Sequence, residues 1–262
     1  MRERKLSKRG SRGAAAVLAV AAAGLFGFAS LGTGGDAENK ADEGDEFLSA
    51  LTSAARLVSF LIPEPRYTIA HPTGPRVALH TSPHGRLIAR VSSRTQFGSP
   101  RTFLVAETRG DWIGVVSPRV ENGRLAWLDR GSGEVDFTDT SYSIQVDLSS
   151  QTLELRDGSY LVHRAAVSIG QAGHSTPAGR FAVTDAIAGR GLGPWYGCCV
   201  LAISGHQPNL PPGWVGGNRI AIHGTPGPVG GAVSNGCLRT SNRDMVALFA
   251  RAPLGAPVFI AE

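Results

Sequence analysis

One histidine and one cysteine in this chain are spaced and surrounded in a way that suits shared chemistry. His223 lies near the end of the alternating run Arg219-Ile-Ala-Ile-His-Gly-Thr225, and Cys237 follows a Pro/Gly-rich loop, within Ser234-Asn-Gly-Cys-Leu-Arg239. A thiol with an ordinary pKa of about 8.5 is only a few per cent thiolate near neutral pH, so nucleophilic use needs a base or a positive field beside it. An imidazole supplies that base, and glycines around the thiol let backbone N–H groups approach an oxyanion. The pattern predicts cysteine acyl transfer, with Cys237 as nucleophile and His223 as base. The N–H groups of Gly236 and Cys237 are the expected oxyanion donors, Ser234 is expected to orient the turn, and Gly224 to permit a close backbone approach. Asn235 never ionises and tolerates left-handed backbone angles, so it is expected to shape the turn and leave His223 as the single titrating base. Arg239 either holds a substrate carboxylate or braces the loop.

His223-Gly224 followed by Ser234-Asn235-Gly236-Cys237-Leu238-Arg239 resembles the motif of the L,D-transpeptidase (YkuD-like) catalytic domain family, enzymes that cross-link peptidoglycan through a cysteine nucleophile. Two further segments, in the same order along the chain, agree. Residues 144–153 resemble the family's opening hairpin, and Ser175-Thr-Pro-Ala-Gly-Arg-Phe181 resembles its Thr-Pro-x-Gly-x-Phe turn. Asn235 departs from the pattern, standing where the family usually carries a second histidine. The resemblance implies a thioester acyl-enzyme formed on peptidoglycan stem peptides, resolved by an amine on a second stem or, in an L,D-carboxypeptidase, by water. It also implies that Trp195 and Tyr196 lie in a segment contributing to the substrate cleft, although a core role fits them equally well. A non-catalytic wall-binding protein is the remaining alternative. No cofactor is implied, and a monomer is expected.

The elements that must position these residues are mostly strands. Ile144, Val146 and Leu148 alternate, Ser149-Ser150 turns the chain, and Leu153 and Leu155 alternate again. Further strands are expected at Ala165–Ile169, at Phe181–Val183, at Ile220–Ile222 and at Val258–Ile260. Ser241-Asn-Arg-Asp244 reads as a helix-capping sequence, with Met245, Leu248 and Phe249 on one apolar face. These features predict a mostly-β catalytic domain over 141–262 with one short helix near the site. Ahead of it, over 71–135, short strands with turn signals at Pro83-His84-Gly85, Arg109-Gly110-Asp111 and Asn122-Gly123 predict a small β-barrel. Its Gly110-Asp-Trp-Ile-Gly-Val115 and Gly123-Arg-Leu-Ala-Trp-Leu128 runs resemble bacterial SH3-like domains.

The chain has three cysteines. An odd count in an exported protein leaves at least one free thiol, as a nucleophile requires. The adjacent Cys198 and Cys199 admit a vicinal disulfide, metal ligation or simple apolar packing. Their flanks, Trp195-Tyr196 and Val200-Leu-Ala-Ile203, favour packing. Only His206 lies near them, so no metal site is expected.

The formal net charge of +5 resides in residues 1–13, and the remainder sums to zero. A nucleic-acid binder spreads positive charge over a folded face, so that class is disfavoured. The basic cluster abuts an uncharged run, Ala14 to Leu31, long enough for about 27 Å of helix at ~1.5 Å per residue. Segment 1–32 is either a signal peptide cut after a small residue such as Ala29 or a retained membrane anchor, with length favouring the anchor. Positive-inside orientation then places the rest of the chain outside the cytoplasm. Residues 33–70 read as an acidic linker followed by a short amphipathic helix over 47–62.

Overall fold

The computed structural model describes residues 65–262. The apolar run, the acidic linker and the helix expected over 47–62 lie outside the described residues. Within them the chain forms two large sheets, and the expectation of a mostly-β protein with one short α-helix holds.

The first sheet comprises β1 (Tyr67–Pro72), β2 (Arg76–His80), β3 (Leu87–Ser92), β4 (Phe103–Arg109), β5 (Trp112–Val115), β6 (Ala126–Asp129) and β7 (Val135–Thr140). Their order is β3-β2-β6-β5-β4-β1-β7, all in antiparallel pairs. The curved, barrel-like sheet encloses Val77, Leu79, Phe103, Ile113, Val115 and Leu128. It is wider than the 71–135 read from alternation, because β1 pairs with β7 along its whole length, from Tyr67↔Thr140 to Pro72↔Val135. In the sequence β1 is hidden by the nearby Pro63 and Pro65, which punctuate the chain as if a linker continued.

The second sheet contains β8 (Tyr142–Asp147), β9 (Thr152–Asp157), β10 (Tyr160–Ala166), β12 (Gly179–Ala188), β13 (Cys199–His206), β14 (Arg219–Thr225), β16 (Leu238–Ser241) and β17 (Pro257–Ala261). The short β11 (Ile169–Gly170) and β15 (Ala232–Ser234) pair in parallel beside it. The order is β10-β9-β8-β17-β12-β13-β14-β16. β17 lies between β8, which it meets in parallel, and β12, which it meets antiparallel. β14 lies between antiparallel β13 and parallel β16. β13 carries no period-two signal because seven of its eight residues are buried, the pattern of a strand covered on both faces. Helix α1 (Asn242–Phe249) follows β16 directly. The Ser241 hydroxyl caps it by accepting from the Asp244 N–H at 3.1 Å, and Met245 and Leu248 join the core of the sheet.

The two sheets share contacts inside one compact unit. Leu104 and Val116 from the first pack with Ala182 of the second, and the rings of Tyr67 and Phe259 lie 5.9 Å apart. The Asn122 carboxamide joins the sheets most directly. Its Nδ2 donates to the His206 carbonyl at 2.7 Å, and its Oδ1 accepts from the His206 N–H at 2.9 Å.

Candidate active site

Parallel pairing of β14 with β16 brings the two singled-out residues together. Ile222 registers with Leu238 and His223 with Arg239, so the turn carrying Cys237 sits beside the middle of β14. Ile220 and Ile222 enter the core, whereas the alternate position, His223, faces a cavity of about 230 Å³ lined also by Cys237, Arg239, Tyr196 and Asn235. A larger cavity, about 730 Å³ against β8, β9 and β17, contains neither a thiol nor an imidazole.

His223 is 4 % exposed. Its Nδ1 lies 2.7 Å from the Gly224 carbonyl oxygen, which can only accept, so Nδ1 carries the proton and Nε2 is the free basic atom of the neutral ring. Burial pushes the His223 pKa down. The Gly224 hydrogen bond opposes that shift and the Arg239 cation adds to it. The ring is therefore neutral at physiological pH, in the protonation state of a general base. Tyr196 packs against it at a tilt of 55°, with ring centroids 5.0 Å apart.

Cys237 is the one free thiol of the three cysteines. Burial raises its pKa, and an Ala221 backbone hydrogen bond and the Arg239 charge pull the other way. The thiol is thus mainly protonated at neutral pH and requires proton removal to react. Arg239 is half-buried, and its Nε is buried with no hydrogen-bond partner among the described residues. A buried guanidinium N–H without a partner is costly, while the rest of the Arg239 side chain lines the cavity.

The turn before Cys237 is held from three sides. The Ser234 hydroxyl donates to the Cys237 carbonyl at 2.6 Å and accepts from the Gly236 N–H at 3.1 Å. This corrects the expectation for Gly236, whose N–H is already satisfied within the turn and is not left for an oxyanion. The Thr176 hydroxyl donates to the Gly236 carbonyl at 3.0 Å, so the Thr-Pro segment and the cysteine segment, sixty residues apart, meet at the site. Asn235 accepts through Oδ1 from Gln171 Nε2 at 3.1 Å. The residue of this turn with a positive φ is Gly236, at 109°.

Gln207 was not singled out by the sequence. It is 3 % exposed, and its Nε2 donates to the carbonyls of His174 and Ser175, both at 3.0 Å, with Asn235 O at 3.4 Å. It packs directly beneath Gly236, where a Cβ would fall 2.2 Å from Nε2. Gly236→Ala therefore meets both a forbidden φ and a buried amide that is itself fixed. Its expected cost is about 1–3 kcal/mol, read as a lowered urea midpoint. An unchanged midpoint would show that the turn tolerates rearrangement. Gly224 is bare for a similar reason, since a Cβ there would lie 2.3 Å from Asn242 Oδ1. Asn242, at the start of α1, uses that oxygen to accept from the Cys198 N–H at 2.9 Å.

Two other expectations resolve here. Cys198 and Cys199 are joined in a vicinal disulfide, in place of the apolar packing favoured from their flanks. Cys198 lies just outside β13, so strand alternation does not force the two side chains to opposite faces. Trp195 is 78 % exposed at the cavity mouth, which removes the core alternative for it. Among the described residues no group of three or more His, Cys, Asp or Glu is placed to hold a metal. Trp214, Asn218 and Arg219 also line the cavity and were not singled out.

Residues 141–260 match the model of YkuD, the L,D-transpeptidase catalytic domain. The match covers the second sheet, α1 and both sequence segments that meet at Cys237. The chain is 33 % identical over 121 residues to the L,D-transpeptidase-family protein YkuD of Bacillus licheniformis, covering 45 % of this chain and 65 % of that one. To YqjB of Bacillus subtilis it is 35 % identical over 108 residues, covering 37 % and 58 %. It thus spans less than two thirds of the length of these curated relatives. Among solved structures, Bd1075 of Bdellovibrio bacteriovorus is similar at 23 % identity and a TM-score of 0.38, covering 47 % of this chain and 48 % of that one. An L,D-transpeptidase from Mycobacterium smegmatis is similar at 15 % identity and a TM-score of 0.37, covering 53 % and 73 %.

Proposed function

We propose that the YkuD-type domain forms cross-links between peptidoglycan stem peptides as an L,D-transpeptidase. The observation that carries this reading is a lone free thiol and a buried neutral imidazole opening into one cavity beside an unpartnered guanidinium N–H. His223 Nε2 takes the proton from Cys237 Sγ as the sulfur attacks the carbonyl carbon of the donor stem's third residue. The tetrahedral oxyanion collapses, the C–N bond to D-alanine breaks, and the imidazolium returns the proton to the departing amine. A thioester remains. An amine of a neighbouring stem attacks that thioester, losing its proton through His223 and releasing the Cys237 thiol. With the Gly236 amide occupied, we assign the oxyanion to the Cys237 N–H, a class of donor worth about 3 kcal/mol in other acyl-transfer enzymes. Arg239, which lines the cavity, is assigned to a substrate carboxylate or carbonyl, and Trp195 to the rim of the cleft.

The same reading places the enzyme in the cell envelope, anchored in the cytoplasmic membrane by its N-terminal segment with the catalytic domain outside. Residues 67–140 are its SH3-like module. Incubation of the full-length protein with disaccharide-tetrapeptide fragments, followed by mass spectrometry, tests the reaction. Dimers that have lost one D-alanine are expected. Trimmed monomers alone would identify a carboxypeptidase, and unaltered substrate would refute acyl transfer on stems.

A further inference from the structure

The largest cavity described, about 1020 Å³, lies between the two sheets and away from the thiol. Its walls come from the loops around 81–88 and 118–125 of the first sheet and from His206, Pro208 and Asn218 of the second. Arg86, Arg119 and Arg124 face it against a single carboxylate, Glu121. None of these four side chains forms an ion pair or a side-chain hydrogen bond among the described residues, whereas Arg90, Arg109, Arg156 and Arg164 all do. Three guanidiniums against one carboxylate leave the cavity with net positive charge, and an anion entering it offsets that excess.

The floor of this cavity is fixed in place. The two-way Asn122–His206 pairing spans it, and the His206 ring donates through Nε2 to the Pro118 carbonyl at 2.9 Å and meets the Asn218 carboxamide through Nδ1 at 2.9 Å. Asn218 also lines the cavity of Cys237, and its carbonyl accepts from the N–H of Gln207, the residue beneath the cysteine turn. The two cavities are therefore neighbours on either side of Asn218.

We propose that this groove is a substrate subsite that holds the carboxylates of the stem peptide, apart from the reacting carbonyl, on Arg86, Arg119 and Arg124. The proposal rests on the L,D-transpeptidase reading for its choice of peptide carboxylates over phosphates of other wall polymers. Continuity with the thiol cavity favours that choice, because a ligand crossing Asn218 must present an acyl carbon at Cys237. Contacts made far from the reacting bond supply binding energy that fixes its position. Exposed arginines are screened by salt, so the contribution must weaken as ionic strength rises.

Binding is measured on full-length protein carrying Cys237→Ala, with a disaccharide-tetrapeptide fragment as the probe, at low and high salt. The combined changes Arg86→Gln, Arg119→Gln and Arg124→Gln are expected to weaken binding about tenfold at low salt and to flatten its salt dependence. Equal affinity with and without the three arginines overturns the proposal, as does preference of the groove for a polyphosphate-type wall polymer over the stem fragment. In the protein with Cys237 intact, acylation by a carbapenem, which needs only the thiol cavity, is expected to be the same with and without the arginines. Loss of that acylation would show that the changes disturb the fold, and Arg119→Gln alone, with a smaller loss of stem affinity, then decides. Absence of acylation with all arginines present would instead refute the function of the thiol, while the binding measurement still judges the groove.

Discussion

Replacement of Cys237 by alanine is expected to abolish covalent labelling by a carbapenem, whose strained carbonyl is a small acylating probe for the thiol. Intact mass of the unaltered protein should rise by one adduct, and peptide mapping should place it on Cys237. Two structural facts set this expectation. Cys198 and Cys199 are tied to each other, leaving one free thiol. That thiol faces the cavity of the buried imidazole. The effect is all-or-none because no other side chain in the cavity is a comparable nucleophile near neutral pH. Labelling on Cys198 or Cys199, or labelling that survives Cys237→Ala, would refute the assignment.

Replacement of His223 is expected to slow acylation by about 10²–10⁴-fold, the worth of a positioned base, and to change the shape of its pH dependence. The sign follows from the local environment. Burial lowers the His223 pKa below its ordinary value of 6.5 and raises that of Cys237 above the ordinary thiol range. Across the range between them the pair is a neutral imidazole and a neutral thiol. The unaltered protein should therefore lose rate only when acid titrates the imidazole, with a midpoint below 6.5, and hold a plateau through neutrality. In His223→Ala that acid limb should vanish, and the rate should climb with pH toward the raised thiol pKa. Stopped-flow acylation across pH reads both features. A His223→Ala variant that kept a normal acid limb would show that another group is the base.

The sequence made some parts of this site legible because their physics is local. The run ending at His223 alternates because β14 buries Ile220 and Ile222 on one face and turns the histidine to the other. The Ser241–Asp244 cap was readable because its hydrogen bond spans three residues. Other parts depend on contacts made across the fold. Gln207 lies in Gln-Pro-Asn-Leu-Pro-Pro-Gly, where no periodicity points at a buried amide, and its importance arises only when the segments of His174 and Asn235 arrive beside it. The occupied N–H of Gly236 was equally hidden, since a serine two residues before a glycine has many possible partners. The strand expected over Ala165–Ile169 is instead the end of β10 and the start of β11; the rest of β10 leaves little hydrophobic pattern because most of its residues are exposed or half-buried.

The position of β17 has a consequence for how the second sheet comes into being. Residues 257–261 are made after every other strand of the second sheet, yet they fill its middle, joining β10-β9-β8 to β12-β13-β14-β16. Until they insert, the sheet exists as two halves with unpaired inner edges, and closing it requires partners more than a hundred residues apart in sequence, Ile144 and Val258 among them. Such long-range pairing is slow because much chain entropy is lost before contacts repay it. Ribosomal synthesis thus delivers His223 and Cys237 before the framework that aligns them is complete, and the nascent chain carries its thiol without an organised cavity around it.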